Sequence, residues 1–364
     1  MMGRLFKLGS TLLPAAALIL AALGLLLFPQ VTAQAAAKGL SVCAQAILPS
    51  LFPFFAVTNL WISLGYAGRL SRAAAGIMEP VFHLPGEAAS ALVLGCIGGY
   101  PVGAQVTARL YEQDLVDRET AAQMLFFCSN AGPAFIFGVV GAGIFQSVTI
   151  GATLYGIHLV SALLLGFLFR PRQRPPHWTV STDPAISVPF SMAFTSSIRQ
   201  AGETALQVCV FVLFFSILTG FLSYFSPISI QGTTWFSVLL GSLELAGGAG
   251  LLAGSACPAV WKLCAAAFLL GWGGLCVHSQ TLALLSGTDL PAKRYLFGKL
   301  LHGLLSGALA LMAAPILPLP VACSVQPVPA WGYPLVQMIL LLLFALWAGR
   351  FLKITTGKHA CNRL

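Results

Sequence analysis

The residues able to do chemistry in this chain sit where long apolar runs are interrupted. Gly98-Gly99-Tyr100-Pro101-Val102-Gly103 breaks one run, and Ala246-Gly247-Gly248-Ala249-Gly250 breaks another. Proline removes a helix donor and glycine weakens a helix. Breaks of this kind let backbone N–H groups and half-helix N-termini approach an anion. Gly98, Gly99, Tyr100, Pro101, Gly103 and Gly248 are therefore candidate contacts for a small anionic solute, although a simple hairpin turn asks for the same residues. A third break is Ser129-Asn130-Ala131-Gly132-Pro133. Pro133 leaves carbonyls one turn earlier without a donor, and Asn130 both donates and accepts. Ser129, Asn130 and Gly132 join the candidates; the plainer alternative is a packing kink.

Lone polar groups inside apolar runs form a second set. Glu244 precedes the second glycine-rich stretch. A carboxyl at that depth costs about 2.5–3.5 kcal/mol on insertion scales, so it is either an H⁺ or Na⁺ coupling site or a structural carboxyl partnered by Arg199 or Lys262. His278 and Gln280 lie in a later apolar run and can bond a ring nitrogen or a carboxylate. Arg109 follows the first break and could supply positive field to a dianion, though an interfacial arginine at the inner face is the simpler reading. His158 and His302 have no motif around them and read as packing residues. Arg199 and Glu203 stand at helical i,i+4 spacing.

No catalytic constellation accompanies these groups. Ser/His/Asp and Cys/His sets, a phosphate-binding G-x-x-x-x-G-K-[ST] loop and metal-ligand clusters are missing, so the chain reads as a non-enzyme without a cofactor or metal. The nine cysteines are scattered and include no C-x-x-C pair, as expected of small core residues.

These groups need a membrane-embedded scaffold to hold them. Of 364 residues, 58% are hydrophobic and 8% charged, and mean hydropathy is +0.88. Soluble domains carry about 25% charge. Apolar segments lie near 8–28, 40–64, 86–108, 120–143, 146–169, 200–225, 233–256, 262–286, 300–316 and 333–352. The net charge of +9 comes from bases spread over loops and termini, with no basic–aromatic run suited to nucleic acid. If all ten segments cross, the Arg170-Pro171-Arg172-Gln173-Arg174 linker falls on the opposite side from Arg69 and Arg72, against the positive-inside rule. If 86–108 and 233–256 dip in and return, those arginines share the inner face with Arg109, Arg118, Lys293, Arg294, Lys299 and the basic C-terminus. Only Lys38 and Lys262 are then left outside. Both termini become cytoplasmic.

The expected fold is an all-α polytopic membrane protein with about eight full transmembrane helices and two re-entrant hairpins in an inverted repeat. Its parts are an N-terminal span (1–39), a first repeat (40–169), a cytoplasmic Pro/Arg-rich linker (170–199), a second repeat (200–316), and a C-terminal span and tail (317–364). The 8–28 run is long enough to be an uncleaved span rather than a signal peptide.

Five stretches carry a resemblance to a known family: Leu48-Pro49-Ser50-Leu51-Phe52-Pro53-Phe54, Gly95 to Ala104, Leu110-Tyr111-Glu112, Phe127 to Pro133, and Gly274 to Gln280. The chain resembles the YlbJ (SpoVV-type) sporulation integral membrane family, with two gate-type nucleoside-recognition domains. Gly98, Ala131 and Cys276 stand where that family often has serine. The resemblance implies transport of dipicolinic acid (pyridine-2,6-dicarboxylate) in spore formation, across the outer forespore membrane made by the mother cell, and kinship with concentrative nucleoside transporters. The expected function is alternating-access transport of a small anionic solute through the bilayer. An ion-coupled nucleoside-type symporter and a non-transporting sporulation assembly or signalling protein stand as alternatives. A homo-oligomer is left open.

Overall fold

The computed structural model describes residues 18–172 and 189–317. The expected 333–352 span, the C-terminal tail, most of the linker and the start of the first span lie outside them. Among the described residues all regular structure is helical.

Helix α1 (Leu18–Leu27) meets α2 (Pro29–Val42) at a 96° bend. Proline at the first helical position starts α2 without losing a hydrogen bond. Phe28, at the corner, packs against Phe221, Tyr224 and Phe225. A π-helical turn, Cys43–Ile47, joins α2 to α3 (Leu48–Ser63). The expected 40–64 segment therefore begins much earlier, at Pro29. Helix α4 (Tyr66–Phe82) has no counterpart among the expected segments. It carries Arg69, Arg72 and Glu79 within an otherwise apolar repeat, so a search for unbroken apolar length passes over it.

The first break is a hairpin. Helices α5 (Ala88–Gly98) and α6 (Val102–Glu112) have 11 residues each, about 16 Å at 1.5 Å per residue. That is roughly half the hydrocarbon thickness. Helix α7 (Arg118–Phe127) is started by Asp117, whose carboxylate accepts from the Thr120 amide at 2.7 Å. It stops at the 128–132 break and resumes as the short α8 (Pro133–Phe135) and a π-helical stretch, Ile136–Ile144. Helix α9 (Val148–Leu168) follows, capped by Ser147.

The second half begins with α10 (Phe190–Phe225), 36 residues long. After the single turn α11 (Ile228–Gln231) comes a second hairpin, α12 (Thr234–Leu243) and α13 (Leu245–Gly254), turned at Glu244 alone. Helices α14 (Ala259–Trp272) and α15 (Gly274–Leu285) form a second broken helix. Gly273 and Gly274, at its break, have φ of +91° and +85°, a region only glycine enters freely. Helix α16 (Ala292–Ala313) closes the described chain. Apart from α4 in the first half and the single turn α11 in the second, the order long helix, hairpin, broken helix, unbroken helix occurs twice.

The ends of these elements fix their relative direction. At the start of α7, Arg118 meets Asp289 at 2.9 Å, just after α15. Tyr111, at the open end of the first hairpin, donates to the same carboxylate at 2.7 Å. Arg294, at the start of α16, reaches Glu119 at 3.1 Å and Gln123 at 2.7 Å. The open end of the second hairpin instead lies beside the start of α14, where Lys262 donates to the Ala253 carbonyl at 2.9 Å. The two broken helices run in opposite directions, and the hairpins open toward opposite ends of the bundle.

Small residues bring the helices together, as membrane interfaces require. A Cβ on Gly271 of α14 would lie 2.6 Å from the Gly303 Cα of α16. Among the described residues, four helical stretches are long and apolar enough to cross a membrane, namely Val148–Leu168, Phe190–Phe225, Ala259–Leu285 and Ala292–Ile316; the bent pair Leu18–Leu27 and Pro29–Gln45 makes a fifth if counted as one span. On α10 an outward stripe of Leu206, Val210 and Phe214 is more than half exposed, which suits lipid contact. The chain is an all-α polytopic membrane protein.

Candidate functional site

The turns of the two hairpins meet at one cavity of about 650 Å³. Gly98, Gly99 and Tyr100 line it from the first tip, and Glu244, Leu245 and Ala246 from the second. Ala131 and Gly132 contribute from one broken helix, and Cys276, Val277 and Gln280 from the other. The outer wall is apolar, from α3 and from Val208 and Val212 of α10. Such a space, lined mainly by apolar side chains with a few polar groups, has the size and character of a small-molecule site.

The first tip is held by backbone contact. Gly99 has φ of +82°, and a Cβ there would lie 2.8 Å from the Gly132 nitrogen. The G-Y-P-x-G and N-x-G-P motifs are thus pressed together. Gly103 serves the same packing, because a Cβ there would meet the Cys128 carbonyl at 2.0 Å. Tyr100 reaches past the tip and donates to the Leu270 carbonyl of α14 at 2.7 Å.

Residues 44–148 of the chain match the Gate family model, described as nucleoside recognition. Over 317 residues the chain is 27% identical to "Sporulation integral membrane protein YlbJ" of Bacillus subtilis (strain 168), covering 78% of each chain. The chain is thus similar to YlbJ over most of its length, and its residues 44–148 are similar to the Gate model. No solved structure matches it significantly. The Gate stretch takes in α3 to α8, and therefore the first tip and the break that faces it.

Several expected site residues of the chain lie away from the cavity. Pro101 and Gly103 sit below the first tip, and Gly248 packs inside the second hairpin, where a Cβ would meet the Gly241 Cα at 2.0 Å. Asn130 is fully buried; its Nδ2 donates to the Phe127 carbonyl at 3.1 Å and contacts the Cys96 sulfur at 3.5 Å, while its Oδ1 has no partner. Ser129 turns its carbonyl, not its hydroxyl, to a partner. His278 points behind the wall, with Nδ1 3.1 Å from the Tyr295 hydroxyl. Arg109 bonds Gln200 of α10 at 2.6 Å.

Glu244 does face the cavity, but neither expected partner is near it. Arg199 pairs with Glu203 on the surface of α10 at 4.0 Å, and Lys262 is taken by a carbonyl. The Glu244 carboxylate instead accepts from the Ala246 amide at 2.9 Å and from the Gly247 amide. It caps the N-terminus of α13, so the chain's own carboxylate fills the place where the second tip was expected to receive a solute's.

A further group escaped the sequence reading. Lys299 was counted among the inner-face bases; it is instead fully buried in α16. Its Nζ lies 2.8 Å from the Tyr100 hydroxyl, 2.8 Å from the Ser129 carbonyl and 3.0 Å from His302 Nδ1. His302 Nε2 is 2.9 Å from the His158 carbonyl, the two rings pack at a tilt with centroids 4.3 Å apart, and His158 Nε2 accepts from the Ala131 amide at 2.9 Å. The two histidines read as packing residues therefore tie Lys299 to the break that lines the cavity. The one available signal was the Lys299/His302 pair at i,i+3 within an apolar run.

Proposed function

We propose that the chain is a transporter of a small anionic solute, working by alternating access between two inverted repeats, and that dipicolinic acid is the solute it moves. The observation carrying this reading is the meeting of two opposed hairpin tips around one cavity. Inverted repeats with broken helices at midplane are a recurrent transporter design, and the twofold element order with antiparallel broken helices supports that description here. In this reading the chain is a carrier, not an enzyme, needs no cofactor, and works in the outer forespore membrane with both termini cytoplasmic.

The choice of solute rests on the kinship with a sporulation membrane protein and on the chemistry of the cavity. A pyridine-2,6-dicarboxylate presents two flat apolar faces to the walls and its carboxylates to backbone amides at the tips. Glu244 already occupies the amides of the second tip. A dianion must displace it or enter with compensating charge, which makes H⁺ or Na⁺ coupling part of the proposal.

Labelled dipicolinate in proteoliposomes provides the test. Movement that depends on the protein and saturates supports the assignment; no movement with folded protein removes the solute. A second reading, an ion-coupled nucleoside-type symporter, is favoured by the nucleoside-recognition description of residues 44–148. Competition by uridine would select it. A sporulation phenotype indifferent to substitution of Gly99 and Glu244 would instead select a non-transporting assembly or signalling role.

A further inference from the structure

Lys299 is a charged-type side chain fully buried among four elements, and every N–H of an ammonium there has an acceptor. The acceptors come from the first hairpin tip (Tyr100), the end of α7 (Ser129 carbonyl) and its own helix (His302). The Ser129 carbonyl lies just past the C-terminus of α7, the negative end of its dipole. The titratable groups around the amine are Tyr100 and Cys96 from the first hairpin, His158 from α9, His278 from α15, and Tyr295 and His302 from α16. None of the described ion pairs places a carboxylate on Lys299. Burial disfavours the ammonium and its three acceptors favour it, so its charge depends on those contacts remaining made. Tyr100 is also a wall of the cavity and donates onward to Leu270.

We propose that Lys299 is a proton-binding site that latches the first hairpin tip. Protonated, it clamps Tyr100 to the α7 break and keeps the cavity closed on that side. When the ammonium gives a proton to water, one N–H bond breaks and one O–H bond forms. The neutral amine grips two oxygen acceptors and an imidazole less strongly, and the tip is freed. This deepens the carrier reading by naming H⁺ as the coupling ion and Lys299, not Glu244, as its seat.

The test needs no solute, so it can fail independently of the transport assignment. Cys276 lines the cavity and is 2% exposed. In a full-length chain keeping Cys276 as its sole cysteine, its reaction with a small methanethiosulfonate is followed from pH 6 to 10. A Lys299→Met version supplies the reference for the thiol's own ionisation. Relative to that reference, the Lys299 protein should label slowly at low pH and speed up about tenfold per pH unit until the latch is open. Lys299→Met should label at the open rate throughout. Tyr100→Phe removes one acceptor, so its curve should move to lower pH; this decides the matter if Lys299→Met does not fold. Labelling curves that coincide for Lys299 and Lys299→Met, or that do not move in Tyr100→Phe, overturn the proposal.

Discussion

Gly99 and Gly132 stand backbone against backbone: a Cβ on Gly132 would lie 3.1 Å from the Gly99 Cα, and one on Gly99 still closer to the Gly132 nitrogen. The contact joins the first hairpin tip to the broken helix and shapes one wall of the cavity. Gly99→Ala adds both a clash and strain at positive φ, which should cost about 1–3 kcal/mol. Thermal unfolding in detergent should show the loss. Gly250→Ala, where a Cβ meets nothing within 4 Å, should leave the melting temperature unchanged or raise it.

The α14–α16 seam makes a second prediction. Gly271 and Gly303 allow the closest approach of these helices. Gly271→Ala should lower thermal stability and disturb both the α14–α15 break and the position of Lys299. Gly202→Ala, in open space on α10, is the matched control and should not.

Glu244 acts as an N-cap, and loss of a cap costs about 0.5–2 kcal/mol. Glu244→Ala should therefore destabilise the protein by that order while exposing the Ala246 and Gly247 amides to the cavity. Glu244→Gln, which keeps an acceptor, should be milder. If a solute carboxylate competes for these amides, Glu244→Ala should bind dipicolinate more tightly than the parent, as read by ligand-induced thermal shift. Unchanged or weaker binding would place the solute elsewhere.

Asp289 predicts a pH effect. The hydrogen bond from Tyr111, with Arg118 beside it, holds its carboxyl below the ordinary 3.8. A depressed carboxyl contributes stability above its unfolded value and loses it as pH falls through the folded one. Wild type should thus exceed Asp289→Asn in stability near neutrality, and the gap should narrow only as pH drops below 3.8. Melting temperatures across that range measure it. A gap that is constant with pH would mean the carboxylate charge is irrelevant there.

The re-entrant arrangement requires Arg118 and Arg172 to share a face of the membrane. Impermeant labelling of single cysteines at the two positions should give the same sidedness. Opposite sidedness would remove the inverted arrangement and the carrier reading with it.

How much of this was legible in the sequence depended on whether the cause was local. The hairpin turns and the 128–132 break were readable because glycine and proline alter the backbone wherever they stand. The pairing of Gly99 with Gly132 was prefigured only as two motifs; their contact is tertiary. Helix α4 was missed because its charges interrupt the apolar run while leaving one face apolar. The capping role of Glu244 follows from the second hairpin turning in a single residue, which composition cannot show. Lys299 was misplaced because a loop-side base and a buried one look alike in a charge count. Only the fold brings Tyr100, Ser129 and His302 around its amine.

The length of α10 has a consequence of its own. Its 36 residues extend about 54 Å, against a hydrocarbon layer near 30 Å. A rod longer than the hydrocarbon layer leaves room for the exposed Arg199–Glu203 pair to stand among the headgroups. The bond from Asn59 to the Ser197 carbonyl ties the first turns of α10 to α3, so the surplus length of the rod is fixed to the wall of the cavity rather than left free.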